Sequence, residues 1–191
     1  MFTTPQEAKR SLVENLFVEY LKEERICLKP GNILSCVEVE SEVSTSFSFY
    51  EGETHKEYKN VAGKSFVECV FAKCKEHFQH QYDSMKQIKM VQVYWKPPFS
   101  MKKGKKKASF SAVFSINKRV QDQEFFAQKD SMLLSGLQCV LNAFEFYVNC
   151  DKAHKRLKFL VKNAEQRQRG DLAIKYKYDI AHLTEVSWYA E

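Results

Sequence analysis

Histidine and cysteine are the side chains of this chain best suited to metal binding or nucleophilic chemistry. Cys74, His77 and His80 recur at i, i+3 and i+6, three donors of the kind that ligate zinc. On a helix Cys74 falls on the apolar stripe while His77 and His80 drift round its edge, and no HxH, HExxH or CxxC motif adds a fourth ligand. No metal is therefore assigned. His154 and His182 have no nucleophile elbow beside them, and the chain carries no GxSxG, GxGxxG or P-loop motif. Asp122 and Glu124 form an acidic pair of the kind that is solvated on a hairpin. No catalytic residue and no cofactor is assigned.

Two short segments carry a different chemistry. Gly63-Lys64-Ser65 and Ser135-Gly136 are small-residue starts to apolar helices. The first amides of a helix lack intrahelical partners and, with the helix dipole, favour a carboxylate or phosphate. Small side chains also let a ligand, or another backbone, come close. The residues assigned to a ligand site are Gly63, Ser65, Phe66, Ser135, Gly136 and Leu137. The bland alternative is that the small residues only permit helix-to-strand packing.

The elements that position these segments occur twice. Glu68-Cys69-Val70-Phe71 and Gln138-Cys139-Val140-Leu141 each follow a run of strand-like segments, and Ser46-Phe47-Ser48 and Ser109-Phe110-Ser111 mark similar strands upstream. Such a repeat fixes the architecture. Ile33–Val39, Ser44–Tyr50 and His55–Val61 alternate as strands and lead into a helix from Ser65 to about His80. Gln87–Trp95, Ala108–Asn117 and Val120–Gln128 lead into a second helix, capped at Asp130 or Ser131 and running to about Asn149. The alternation of the fourth strand switches phase near Val91, which predicts a bulge, and Pro97-Pro98 is expected to end it. Thr4-Pro5-Gln6-Glu7 starts an N-terminal helix ending near Glu24, and Pro30-Gly31 reads as a turn. After the second unit, Asp151–Gln168 reads as a helix stopped by Gly170. Leu172, Ile174, Tyr176, Tyr178 and Ile180 then alternate as a strand. The expected fold is α+β: two βββα repeats with pseudo-two-fold symmetry, an N-terminal helix and a C-terminal helix-strand extension, divided as 1–26, 27–150 and 151–191.

At 191 residues, with 44% hydrophobic residues including fifteen Phe and nine Tyr, the chain can bury a substantial aromatic core. Its net charge is +6. Five of those charges belong to Lys102, Lys103, Lys105, Lys106 and Lys107, expected as a solvated basic loop; no Arg or aromatic interleaves the lysines, so nucleic acid is disfavoured as a partner. Met1–Arg10 has no signal-peptide run and the six cysteines form no CxxC pair, which points to reduced thiols in the cytoplasm. Met132–Val148 is apolar but short for a membrane span and interrupted by Gln138, Asn142 and Glu145, so no membrane partner is expected.

Over residues 27–150 this pattern resembles the C-terminal regulatory (leucine-binding, dimerisation) domain of 2-isopropylmalate synthase and citramalate synthase. That domain has two βββα units, and its first helix opens with a Gly-x-Gly-Pro-Val-Asp-Ala-x-aromatic motif. In Gly63-Lys64-Ser65-Phe66-Val67-Glu68-Cys69-Val70-Phe71 the first Gly, the Val, the acidic position and the aromatic agree. Ser65 stands for the second Gly and Phe66 for the Pro. Ser131-Met132-Leu133-Leu134-Ser135-Gly136 matches the start of the family's second helix in its apolar and small positions only. The family's catalytic barrel and metal-binding HxH precede this domain and have no counterpart here. The resemblance implies a non-catalytic module that binds an amino acid or related carboxylate and forms a homodimer. Two other readings stand beside it: an acidic-partner or nucleic-acid binder using Lys102–Lys107, and a structural module that docks the Leu172–Ile180 strand onto a protein partner.

Overall fold

The computed structural model describes residues 5–100, 106–116 and 120–187. The chain opens with helix α1 (Pro5–Tyr20), which gives way to a 3-10 turn at Lys22–Glu24. Strands β1 (Leu28–Val39), β2 (Glu42–Glu51) and β3 (Thr54–Gly63) form one antiparallel sheet in that order, followed by α2 (Phe66–Gln79). Strands β4 (Lys89–Ser100), β5 (Lys106–Ser115) and β6 (Gln123–Lys129) form a second, followed by α3 (Met132–Gln166), and α4 (Gly170–Val186) ends the described chain. These are the two βββα repeats, with helices before and after. The cysteines of the repeated segment occupy equivalent places: the Cys69 thiol meets the Val61 carbonyl of β3 at 3.7 Å, and the Cys139 thiol meets the Phe125 carbonyl of β6 at 3.2 Å.

Both central strands alternate as their sequence dictates. Val43, Thr45, Phe47 and Phe49 of β2, and Ala108, Phe110, Ala112 and Phe114 of β5, point into one core. Aromatic contacts run through that core from unit to unit. Phe47 meets Phe66 at 6.2 Å, Phe78 stacks on Phe144 at 5.9 Å, and Phe114 meets Phe125 edge-on at 5.8 Å. Phe146 then meets Phe125 at 5.7 Å and Phe17 of α1 at 5.8 Å.

Four expectations are corrected. Pro30-Gly31 is not a turn: both lie within β1, at a register shift between Pro30 and Ile33. The Asn32 amide freed there donates to Ser48 Oγ at 2.9 Å, and the Asn60 amide of β3, beside a second register shift, donates to Ser46 Oγ at 3.0 Å. The serines of the second face are thus buried because they satisfy bulged backbone. Pro97-Pro98 does not end β4, which runs on to Ser100 past a shift between Lys96 and Phe99; β4 is an edge strand, where proline costs no ladder bond. The shift between Met90 and Gln92 is the bulge predicted near Val91.

The second helix does not stop at Asn149. The Asn149 side chain accepts from Ile26 N at 2.8 Å and donates to Ile26 O at 2.9 Å, and Asp151 lies 3.0 Å from the Lys155 ammonium one turn on, so neither polar residue breaks the helix. The helix ends at Gln166, and Gln168, at φ 54°, takes the left-handed position before Gly170 opens α4. Finally, residues 172–180 are helix and not strand. Ala173, Asp179, Leu183 and Val186 form the buried face, with Tyr176 and Ile180 beside it, while Ile174 and Tyr178 are exposed. The strand-docking reading falls with that strand. The Thr4 cap, Lys102, Lys103, Lys105 and Asn117 lie outside the described residues; Lys106 and Lys107 are the first residues of β5.

Gly31 gives the test of this strand geometry. A Cβ there would sit 2.3 Å from Ser48 Oγ and 2.9 Å from Ser48 O. Gly31→Ala is expected to lower the stability by about 2 kcal/mol, read as a shift of the urea midpoint at unchanged slope.

Candidate functional site

α2 and α3 begin side by side. Ser65 caps α2, its hydroxyl accepting from Glu68 N at 3.2 Å, and Cys69 N is the first amide to bond back, to Ser65 O at 3.1 Å. Ser131 caps α3 in the same way, accepting from Leu134 N at 3.1 Å, with Ser135 N bonding back to Ser131 O at 3.0 Å. In each helix the first two amides, of Phe66 and Val67 and of Met132 and Leu133, precede the hydrogen-bonded turns. The residues carrying these four amides line one groove of about 370 Å³, together with Ser65, Glu68, Met90, Val93, Trp95 and Phe110. Its floor and walls are mainly apolar. It is open along β4, where Val93 and Trp95 are exposed although they point to the same side as Phe110.

The six residues expected at a ligand site are divided by this arrangement. Ser65 and Phe66 line the groove. Gly63 ends β3, where a Cβ would come within 2.7 Å of Cys69 Sγ, so its smallness admits α2 onto the strand. Ser135, Gly136 and Leu137 lie one turn inside α3 and are buried. Ser135 Oγ donates towards Ala108 O at 2.9 Å and Ser131 O at 2.8 Å and accepts from Lys129 N at 3.0 Å, which ties β5, β6 and α3 together. Gly136 meets Val67 of α2: a Cβ there would stand 2.9 Å from Val67 Cγ2. Counting back four residues from the repeated cysteine reaches Ser65 in one unit and Ser135 in the other. α3 starts a turn earlier than α2, so the matching serine is a cap in one helix and a core residue in the other.

Sequence reasoning missed Val67, Glu68, Met90, Val93, Trp95, Phe110, Met132 and Leu133 as lining residues. The phase switch of β4 was the available signal, since it gave that strand apolar residues on both faces.

The other chemically capable residues are placed elsewhere. Cys74 is fully buried and burial pushes its thiol well up; Cys139 is likewise raised by burial, to about 12. His77 Nε2 lies 2.8 Å from Glu51 Oε2, and among the described residues no group of three or more His, Cys, Asp or Glu is disposed to hold a metal. His154 is buried, and burial, with Lys158 and Lys155 nearby, depresses it to about 4, so it is neutral at pH 7. Among the described residues no helix is long and apolar enough to cross a membrane.

The contact between the helix starts can be tested by overpacking and relief. Gly136→Val is expected to destabilise the chain by about 2 kcal/mol. Adding Val67→Ala should recover about 1 kcal/mol of that, a coupling measured by a double-mutant cycle of urea melts. Additive losses would show that the helices do not meet at these residues.

No protein-family model matches the chain, and no curated protein matches it.

Proposed function

We propose that this chain is a non-catalytic ligand-binding module that takes an amphipathic carboxylate, an amino acid or 2-oxo acid with an apolar side chain, in the groove between the starts of α2 and α3. The observation that carries this reading is the convergence of two helix N-termini on one largely apolar groove. The amides of Phe66, Val67, Met132 and Leu133 are the donors for the carboxylate, and Met90, Val93, Trp95 and Phe110 receive the side chain. Glu68, at the groove's edge, repels a second anion and pairs with an α-ammonium, which favours an amino acid over its 2-oxo analogue. The two βββα units and the Gly63–Phe71 motif support a likeness to the 2-isopropylmalate synthase regulatory domain, and hence a regulatory role. Free thiols suit a reducing compartment, and we place the protein in the cytoplasm.

The test is a thermal-shift and calorimetric series with leucine, methionine, phenylalanine and their 2-oxo acids. At a hundredfold excess over Kd the expected stabilisation is about 2.7 kcal/mol. Met132→Glu, which places a carboxylate on the groove wall at a half-buried position away from β4, should abolish the shift. No shift with any of the six compounds overturns the reading.

Edge strand β4 favours a homodimer as part of the same function. Val91, Val93, Tyr94 and Trp95 are all exposed on it, and antiparallel pairing with a second copy about Val93 would continue the sheet. Tyr94→Lys is expected to give a monomer by light scattering where the parent chain is a dimer. A parent chain that is monomeric at 100 μM removes the dimer.

A further inference from the structure

We propose that the solvent face of the C-terminal half of α3 is a nucleic-acid-binding surface that contacts the phosphodiester backbone. The chain's positive charge is not confined to the lysine-rich segment. Between positions 152 and 169, Lys152, Lys155, Arg156, Lys158 and Lys162 line the helix, and Arg167 and Arg169 follow at the turn to α4; Glu165 is the one acidic residue in that span. Lys155, Arg156, Lys158 and Lys162 are exposed. The buried side of the same stretch is uncharged, with Ala153, Leu157 and Ala164 and the neutral His154 turned inward, so the cations cannot fold inward. At 1.5 Å per residue the stripe is about 27 Å long, and cations three or four residues apart recur about every 5–6 Å, close to the spacing of phosphates along a strand.

Neighbouring acids neutralise part of this face and leave the middle bare. Lys155 pairs with Asp151 at 3.0 Å, Arg169 with Asp171 at 3.1 Å, and Glu165 is taken by Lys177 of α4 at 2.7 Å. Glu19, Glu23 and Glu24 border a cleft beside Arg156. Lys158, Lys162 and Arg167 have no ion-pair partner among the described residues. Buried His154 is held neutral partly by Lys158 and Lys155, which reports the same positive field from inside.

An aromatic ring sits among the cations. Phe159 is 58% exposed, and the Arg156 guanidinium lies over it, 5.9 Å from the ring centre. Cations interleaved with Arg and an exposed ring are the composition of a surface that tracks a phosphate backbone and stacks a base. The lysine-rich segment at 102–107 lacks both. A lipid surface fits less well, because Phe159 is ringed by Lys155, Arg156 and Lys162 one turn away, which leaves no apolar area to insert.

Fluorescence anisotropy with the full chain tests the assignment, using a 20-nucleotide single-stranded RNA and a 20-base-pair DNA duplex at 50 mM salt. Binding is expected to weaken steeply with salt. The double substitution Lys158→Gln and Lys162→Gln, on exposed positions, should weaken it about tenfold and flatten the salt slope by about two for the duplex, with circular dichroism and melting temperature unchanged. Phe159→Ala should weaken the single strand more than the duplex. Three results overturn the assignment: no binding to either probe at 50 mM salt; full binding by the Lys158/Lys162 variant with loss on changing Lys102, Lys103, Lys105, Lys106 and Lys107 to Gln; or binding to phosphatidylserine vesicles without binding to RNA or DNA. Amino-acid binding in the groove is read separately by calorimetry, so failure of one site leaves the other standing.

Discussion

The contact of Val67 with Gly136 decides where everything else can go. A side chain at position 136 would strike Val67 Cγ2 at 2.9 Å, so the absence of a Cβ there lets α2 and α3 approach at their starts. Two capped N-termini consequently open towards the same space, and their partial positive charges add. Behind that contact, Phe71 meets Phe144 at 5.6 Å and Phe114 at 6.1 Å, and Phe78 stacks on Phe144. α2 is thereby locked to the helix and sheet of the other unit. Neither βββα unit buries its own helix completely; each helps to complete its partner's core.

The segments outside the repeat finish the same core. Phe17 of α1 packs on Phe146, and Leu183 and Val186 of α4 join the same buried cluster. Their polar ties reach across long sequence separations. Tyr20 Oη donates to the Asp179 carboxylate, and burial together with that carboxylate raises the Tyr20 hydroxyl far above its usual range. Glu145 accepts from Leu28 N at 2.7 Å while burial pushes its carboxyl up. A hydrogen bond from a buried amide partly offsets the desolvation of that carboxyl. The N-terminal and C-terminal segments are therefore structural members of one body and not appendages to it.

Much of this was legible in the sequence where one residue's neighbours along the chain decide its state. The Ser-Phe alternation of β2 and β5, a cap of the second helix at Asp130 or Ser131 and the recurring Cys-Val all follow from local pattern. What was not legible depended on distant contacts. Residues 172–180 alternate over a window too short to distinguish strand from helix, and only the continuation to Leu183 and Val186 reveals the helical face. Asn149 read as a break because its partner, Ile26, lies 123 residues away along the chain. The candidate site was half legible: its helix starts were marked, but Ser135 and Gly136 were placed at the opening when an extra turn of α3 puts them in the core. β4, which supplies the open wall, announced itself only as irregular alternation.

Charge shows the same limit in another form. Subtracting five clustered lysines leaves a chain that is nearly neutral in total, yet neutrality in total is compatible with strong local imbalance. The acids beside the stripe are engaged by other cations, Asp151 by Lys155, Glu165 by Lys177 and Asp171 by Arg169, while Glu38, Glu40 and Glu42 belong to the β1–β2 hairpin and not to α3 or α4. Because screening confines electrostatic influence to about 8–10 Å in physiological salt, acids that are distant in space do not quench the helix. A helical stripe needs only every third or fourth residue to be basic, so its density along the chain is modest while its density in space is high. The distribution that a polyanion meets is therefore set by α3's period and by what α4 leaves uncovered.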